Sequence, residues 1–182
     1  MKANLILLFM ISSFLTSSIE PQTVPSFTPA LVDFDAFENL TKEVREYRKQ
    51  RLINWATFTE YATETNTIIL DTRSKAMYNK KHLKGAIHMN FSDFTQDNLA
   101  AIIPSYTTRI LIYCNNNIEN DPVYFASKIV LPKENNQTKS ISLALNIPTF
   151  ITLYGYGYQN IYELSELISA TNPKVSFESS TL

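Results

Sequence analysis

Short apolar runs alternate with amphipathic stretches along most of this chain. From residue 51 onward the runs Leu52-Ile53, Thr67–Leu70, Ala86–Met89, Arg109–Cys114 and Asn160–Leu164 predict strands. Between them lie helical patterns: one capped by Thr57 and ending near Ala62, and one over Asp93–Ile103. Strands separated by helices predict an α/β fold with a parallel sheet and helices on both faces. Ahead of this region, Phe34, Phe37, Leu40, Val44 and Tyr47 recur at spacings of three and four, predicting a helix over Asp33–Gln50. After Cys114, Asp121-Pro122 reads as an N-cap and first helical residue of a helix through Val130. Asn146-Ile147-Pro148 opens a further helix that stops near Gly155 or Gly157. The tail from Thr171 onward is expected to be loose.

The N-terminal residues follow a different pattern. Lys2 precedes an apolar stretch from Leu5 to Leu15, and the small residues Thr16, Ser17 and Ser18 follow it. That order predicts a signal peptide over residues 1–18 and an exported chain, periplasmic or extracellular. The rival reading is an uncleaved anchor, although the stretch is short for a membrane span. No membrane span is expected once the signal is removed. Residues 19–50 then read as a linker rich in Pro, Thr and Ser followed by the helical extension, with the main domain over residues 51–170.

Composition narrows the function classes. Sixteen Lys and Arg residues balance seventeen Asp and Glu among 182 residues, with no long basic block, so nucleic acid is not an expected partner. Only three glycines occur, at Gly85, Gly155 and Gly157, which excludes a glycine-rich phosphate loop. With two histidines and one cysteine, no metal site is expected, and no cofactor.

The single cysteine is the most informative residue. Cys114 closes the apolar run Ile110–Tyr113 and is followed at once by Asn115, Asn116 and Asn117. This places a thiol at the carboxyl edge of a buried strand, where open α/β sheets bind ligands. A lone cysteine cannot form an intrachain disulfide, so it is either an inert core residue or a reactive thiol.

Several segments in order resemble the rhodanese-like domain. They are Ile68-Ile69-Leu70, Asp71-Thr72-Arg73, Met77-Tyr78, His82-Leu83-Lys84-Gly85-Ala86-Ile87, Ile112-Tyr113-Cys114 and Gly157-Tyr158-Gln159-Asn160-Ile161. The resemblance covers about residues 51–168 and implies a parallel-sheet domain whose cysteine carries a persulfide during sulfur transfer. A small sulfur-containing donor and a thiol acceptor would then be its partners, with a protein partner as an alternative. Asn115, Asn116, Asn117, Ile118 and Glu119 would form the cradle around the transferred sulfur through backbone N–H groups. The helix opened by Asn146 and Pro148 would place another helix end nearby. Asp71 and Arg73 are expected as a structural pair, and His82 as a satisfied hydrogen-bonding residue.

The loop departs from the family pattern, which commonly carries Gly and Arg after the cysteine. Asparagine tolerates left-handed backbone, so the loop can still curl, and its amides could donate to an anion. Glu119 is expected to repel an anionic donor and to raise the thiol pKa. Lys128 and Lys139 are candidate replacements for the missing positive charge. The sixth residue after Cys114 is Asn120, not the Arg required by rhodanese-like phosphatases, so phosphatase activity is not expected. The leading reading is a sulfurtransferase acting through Cys114. The alternatives are a catalytically weak binding module and a thiol redox sensor.

Overall fold

The computed structural model describes residues 30–132 and 140–180. The segments read as a signal peptide and most of the following linker, and Lys139, lie outside the described residues. The chain divides into Met1–Val32 and Asp33–Leu182. Of the former only residues 30–32 are described, all exposed.

Helix α1 (Phe34–Lys49) starts where the Asp33 carboxylate accepts the Ala36 N–H at 2.8 Å, and it ends with Arg48 and Lys49 in its last turn. Both features complement the helix dipole and its unsatisfied terminal groups. The predicted apolar stripe is shorter than expected. Phe34 and Phe37 are 75% and 52% exposed, and Leu40, Val44 and Tyr47 alone reach the core. Strand β1 (Leu52–Ile53) follows, and then helix α2 (Trp55–Ala62). The cap of α2 is Asn54, whose Oδ1 accepts the Thr57 N–H at 2.9 Å; Thr57 itself lies inside the helix.

The central sheet joins β1 to β2 (Thr67–Asp71), β4 (Ala86–His88), β5 (Arg109–Ile112) and β9 (Ile161–Leu164) in the order β1-β9-β5-β2-β4, with every pairing parallel. Its strands are largely apolar because both faces are covered. Side chains alternate between two cores: Ile110 and Ile112 of β5 join one, and Leu111 and Tyr113 the other. The first core is completed by α1, α4 (Gln96–Ile102) and α5 (Asn146–Gly155), through Val44, Leu99 and Phe150. The second is completed by α2 and α3 (Lys75–Lys80), through Phe58 and Tyr78. Tyr154, Tyr156, Tyr158 and Tyr162 also pack against these cores.

Two predicted segments fold otherwise than expected. The segment opened by Asp121-Pro122 is not a helix. Asp121 does accept the N–H groups of Tyr124 and Phe125, but only one turn forms. Beyond it, Asn115 Nδ2 donates to the Ala126 carbonyl and the Lys128 N–H donates to Asn116 Oδ1. These bonds draw the chain out, and β7 (Ile129–Val130) pairs antiparallel with β8 (Ile141–Ser142). The β-branched pair Ile129-Val130 favours that outcome over helix. The tail is not loose through its described part either. There β11 (Phe177–Glu178) pairs antiparallel with β3 (His82–Leu83), Val175 is buried, and Phe177 lies against Phe125.

Candidate active site

Strand β5 carries the chain to the carboxyl edge of the sheet, and Tyr113 anchors it there. The Tyr113 hydroxyl donates to Asp71 Oδ2 at 2.5 Å and accepts the Leu83 N–H at 3.1 Å. Burial is the first cause that pushes the Tyr113 phenol well above its ordinary range, and the Asp71 charge is the second. Cys114, in extended backbone, then caps a 3₁₀ turn formed by Asn115–Asn117.

The turn orients backbone N–H groups toward sulfur. The backbone N–H groups of Asn116 and of Asn146, at the start of α5, favour the Cys114 thiolate, as does that of Asn117, which donates to the Cys114 carbonyl at 3.1 Å. Convergent amides of this kind form an anion cradle. Cys114 borders a cavity of about 410 Å³ that is also lined by Arg73, Ser74, Met77, Asn115, Lys128 and Leu143–Leu145. Cys114 as a residue is 2% exposed. Burial pushes its thiol up to about 11, the Glu163 carboxylate adds to that rise, and the three N–H groups offset only part of it.

The asparagine side chains are used chiefly to build the loop, although Asn115 also lines the cavity. Asn117 Oδ1 accepts the Cys114 N–H at 3.0 Å, and its Nδ2 donates to the carbonyls of Leu164 and Glu166 at 2.8 and 3.0 Å. Asn115 and Asn116 tie the turn to Ala126, Lys128 and Ser142. Left-handed backbone occurs at Asn120, with φ +63°, and not within Asn115–Asn117. Ile118 and Glu119 leave the cradle altogether. They form β6 (Ile118–Glu119), paired with β10 (Ile168–Ser169), and the Ile118 N–H is used by the Asn115 carbonyl. The carboxylate that raises the thiol pKa is therefore Glu163, not Glu119.

Asp71 and Arg73 form a buried ion pair, with Arg73 Nη2 2.7 Å from Asp71 Oδ2. Burial pulls the Arg73 pKa down, but the hydrogen bonds and charge of Asp71 outweigh it and raise the group overall. The guanidinium also donates to the carbonyls of Tyr124 and Lys81 at 2.9 and 2.7 Å. Although Arg73 borders the cavity, its charge is thus engaged by Asp71. His82 is 3.8 Å from the Tyr78 ring, stacked on it, with Nδ1 2.7 Å from the Tyr78 carbonyl, and it does not line the cavity. Lys128 does line it.

Sequence reading missed Glu163 and Arg48. Glu163 occupies β9, 2% exposed, where Arg48 Nε and Nη2 grip its two oxygens at 2.5 Å each. Asn146 Nδ2 also donates to Glu163 Oε1. The available signal was an acidic residue inside the apolar run Ile161–Leu164, which demands a partner once that run is buried.

The chain belongs to the rhodanese-like domain family, whose profile matches residues 55–166. Among solved structures, it is similar to the BH2092 protein from Bacillus halodurans, with 16% identity, 68% of this chain and 73% of that chain covered, and a TM-score of 0.40. It is also similar to a Rhodanese_3-like domain from Anabaena, with 16% identity, 64% and 95% covered, and a TM-score of 0.37. No curated protein matches the chain. Among the described residues, no helix is long and apolar enough to cross a membrane.

Proposed function

We propose that this rhodanese-like domain is a sulfur carrier in which Cys114 takes up sulfane sulfur as a persulfide. The observation that carries the reading is Cys114 bordering a cavity at the end of β5, with the backbone N–H groups of Asn116, Asn146 and Asn117 favouring its thiolate. After the thiol loses its proton, the thiolate attacks the outer sulfur of a polysulfide or thiosulfate. A new S–S bond forms, the donor's S–S bond breaks, and the departing polysulfide or sulfite keeps the electron pair. An acceptor thiolate then attacks the outer sulfur, and Cys114 regains its pair as thiolate. Both covalent stages place negative charge on sulfur within the amide cradle. Reading residues 1–18 as a signal peptide puts this chemistry outside the cytoplasm.

Turnover at neutral pH is expected to be slow. A thiol at about 11 is ionised in only about one molecule in ten thousand at pH 7. That same observation, with Arg73 already paired to Asp71, favours a second reading in which the cavity binds a ligand without turnover. Incubating the protein with polysulfide or thiosulfate and recording intact mass separates the two. Sulfur carriage predicts a gain of one sulfur atom that a thiol acceptor removes and that Cys114→Ser lacks. No such gain at any pH up to 10, with ligand binding kept in Cys114→Ser, leaves the binding module.

A further inference from the structure

Helix α1 precedes the family match at residues 55–166, yet one of its side chains reaches the neighbourhood of Cys114. The helix is seated firmly on α5. Tyr47 packs against Phe150 and Tyr154, with ring centroids 6.4 and 5.0 Å apart, and its hydroxyl donates to the Gln159 carbonyl at 2.7 Å. A Cβ added at Gly155 of α5 would lie 3.0 Å from Leu40 of α1, so the two helices meet closely. This seating delivers Arg48 to Glu163.

Glu163 is fixed to the sheet by its backbone. Its backbone is held in the sheet between β1 and β5, opposite Leu52 and Ile112, and its N–H donates to the Arg51 carbonyl at 2.9 Å. Its carboxylate is gripped by both Arg48 donors and by Asn146 Nδ2. Asn146 depends on that contact, because its Oδ1 is buried without a hydrogen-bond partner and, among the described residues, its side chain makes no other hydrogen bond. Asn146 also opens α5 directly after Leu145, which lines the cavity with Cys114, and its backbone N–H favours the thiolate. A continuous chain of contacts thus runs from Arg48 through Glu163 and Asn146 to the thiol.

We propose that α1 is a working part of the sulfur site: Arg48 acts through Glu163 to position the Asn146 end of α5 against Cys114 and to balance the carboxylate beside it. The inference rests on reading Cys114 as the sulfur-bearing residue. Arg48 and Glu163 are positioning residues, since neither lines the cavity. The charged groups that bear on the thiol are Glu163 on β9, with Arg48 of α1 paired to it, Lys128 at the cavity wall, and Arg73, which is already paired with Asp71.

The test is the pH dependence of Cys114 alkylation by iodoacetamide, read by intact mass on the folded chain, with a thermal melt of every variant. Glu163→Gln keeps an acceptor for Asn146 while removing the negative charge, so alkylation at pH 9 is expected to rise about tenfold, one unit of thiol pKa. Arg48→Met leaves the carboxylate unbalanced and Asn146 less well held, so the rate is expected to fall about tenfold. Arg48→Lys, which restores the charge with a poorer grip, should lie between Arg48→Met and the parent. In the Glu163→Gln background, Arg48→Met should change the rate less than about twofold, because its effect passes through Glu163. Shifts of the same sign in Glu163→Gln and Arg48→Met, or rates within about twofold of the parent in folded variants, overturn the proposal. If Arg48→Met does not fold, Glu163→Gln alone decides the outcome by the sign of its shift. Alkylation reports the thiol whether or not sulfur is transferred, so it fails independently of the persulfide mass assay.

Discussion

Replacing Asp71 with Asn isolates the interaction that holds the strand edge under Cys114. The Asp71 carboxylate is fully buried and accepts the Arg73 backbone N–H at 3.0 Å, Arg73 Nε at 3.0 and 3.1 Å, Nη2 at 2.7 Å and the Tyr113 hydroxyl at 2.5 Å. An amide removes the charge and turns one acceptor into a donor. Whichever oxygen is replaced, that donor faces another donor, the guanidinium or the phenol. Arg73 keeps its carbonyl partners Tyr124 and Lys81, but its buried charge loses the carboxylate. Removing one member of such a pair costs about 3–5 kcal/mol. Urea unfolding at pH 7 should show this loss as a lower midpoint with an unchanged slope. Arg73→Met alone should cost a similar amount, and the double variant less than the two singles added together, since it leaves no orphaned charge. A loss below about 1 kcal/mol for Asp71→Asn would refute the reasoning, because it would mean the buried charge is satisfied without its partner.

Two further outcomes follow from the same site. The Cys114 thiol holds its proton to about 11 in the folded chain against 9.0 for an ordinary thiol, so the unfolded chain loses protons first between those values. Stability contributed by this group is therefore intact below about pH 9 and declines by roughly 2–3 kcal/mol as pH rises toward 11. Denaturant melts at pH 8, 9.5 and 10.5 should show a steeper decline for the parent than for Cys114→Ser; parallel declines would count against the buried thiol. Asn117→Ala removes the acceptor for the Cys114 N–H and the donor for the Leu164 and Glu166 carbonyls. It should lower stability by about 2–3 kcal/mol in urea unfolding and reduce persulfide formation on Cys114. A variant that unfolds like the parent would show that the turn holds without this side chain.

Much of the fold was legible in local pattern. The apolar run Ile110–Tyr113 breaking into three asparagines marked where a sheet strand ends, and so where the thiol would lie. Asp71 and Arg73, two residues apart, could meet only across the turn that separates them. The start of α5 at Asn146 was readable because Pro148 fits the first turn of a helix and not its interior. The asparagines of the turn were harder. Their capacity to donate and accept was evident, but their partners Ala126, Ser142, Leu164 and Glu166 lie on segments brought together only by folding.

By itself, then, the sequence determined the alternation of strand and helix, the strand-edge position of Cys114 and membership of the rhodanese-like family. Periodicity and capping act over a few residues, and such signals survive in the chain order alone. Tertiary structure decided the β7–β8 hairpin in place of a helix, the pairing of β11 with β3, and the exit of Ile118 and Glu119 into β6. It also decided which charge meets the thiol. Glu163 and Arg48 stand 115 residues apart and join only because α1 packs on α5 beside β9. A buried charge takes its partner from whatever element the packing brings within reach, and no local pattern specifies that choice.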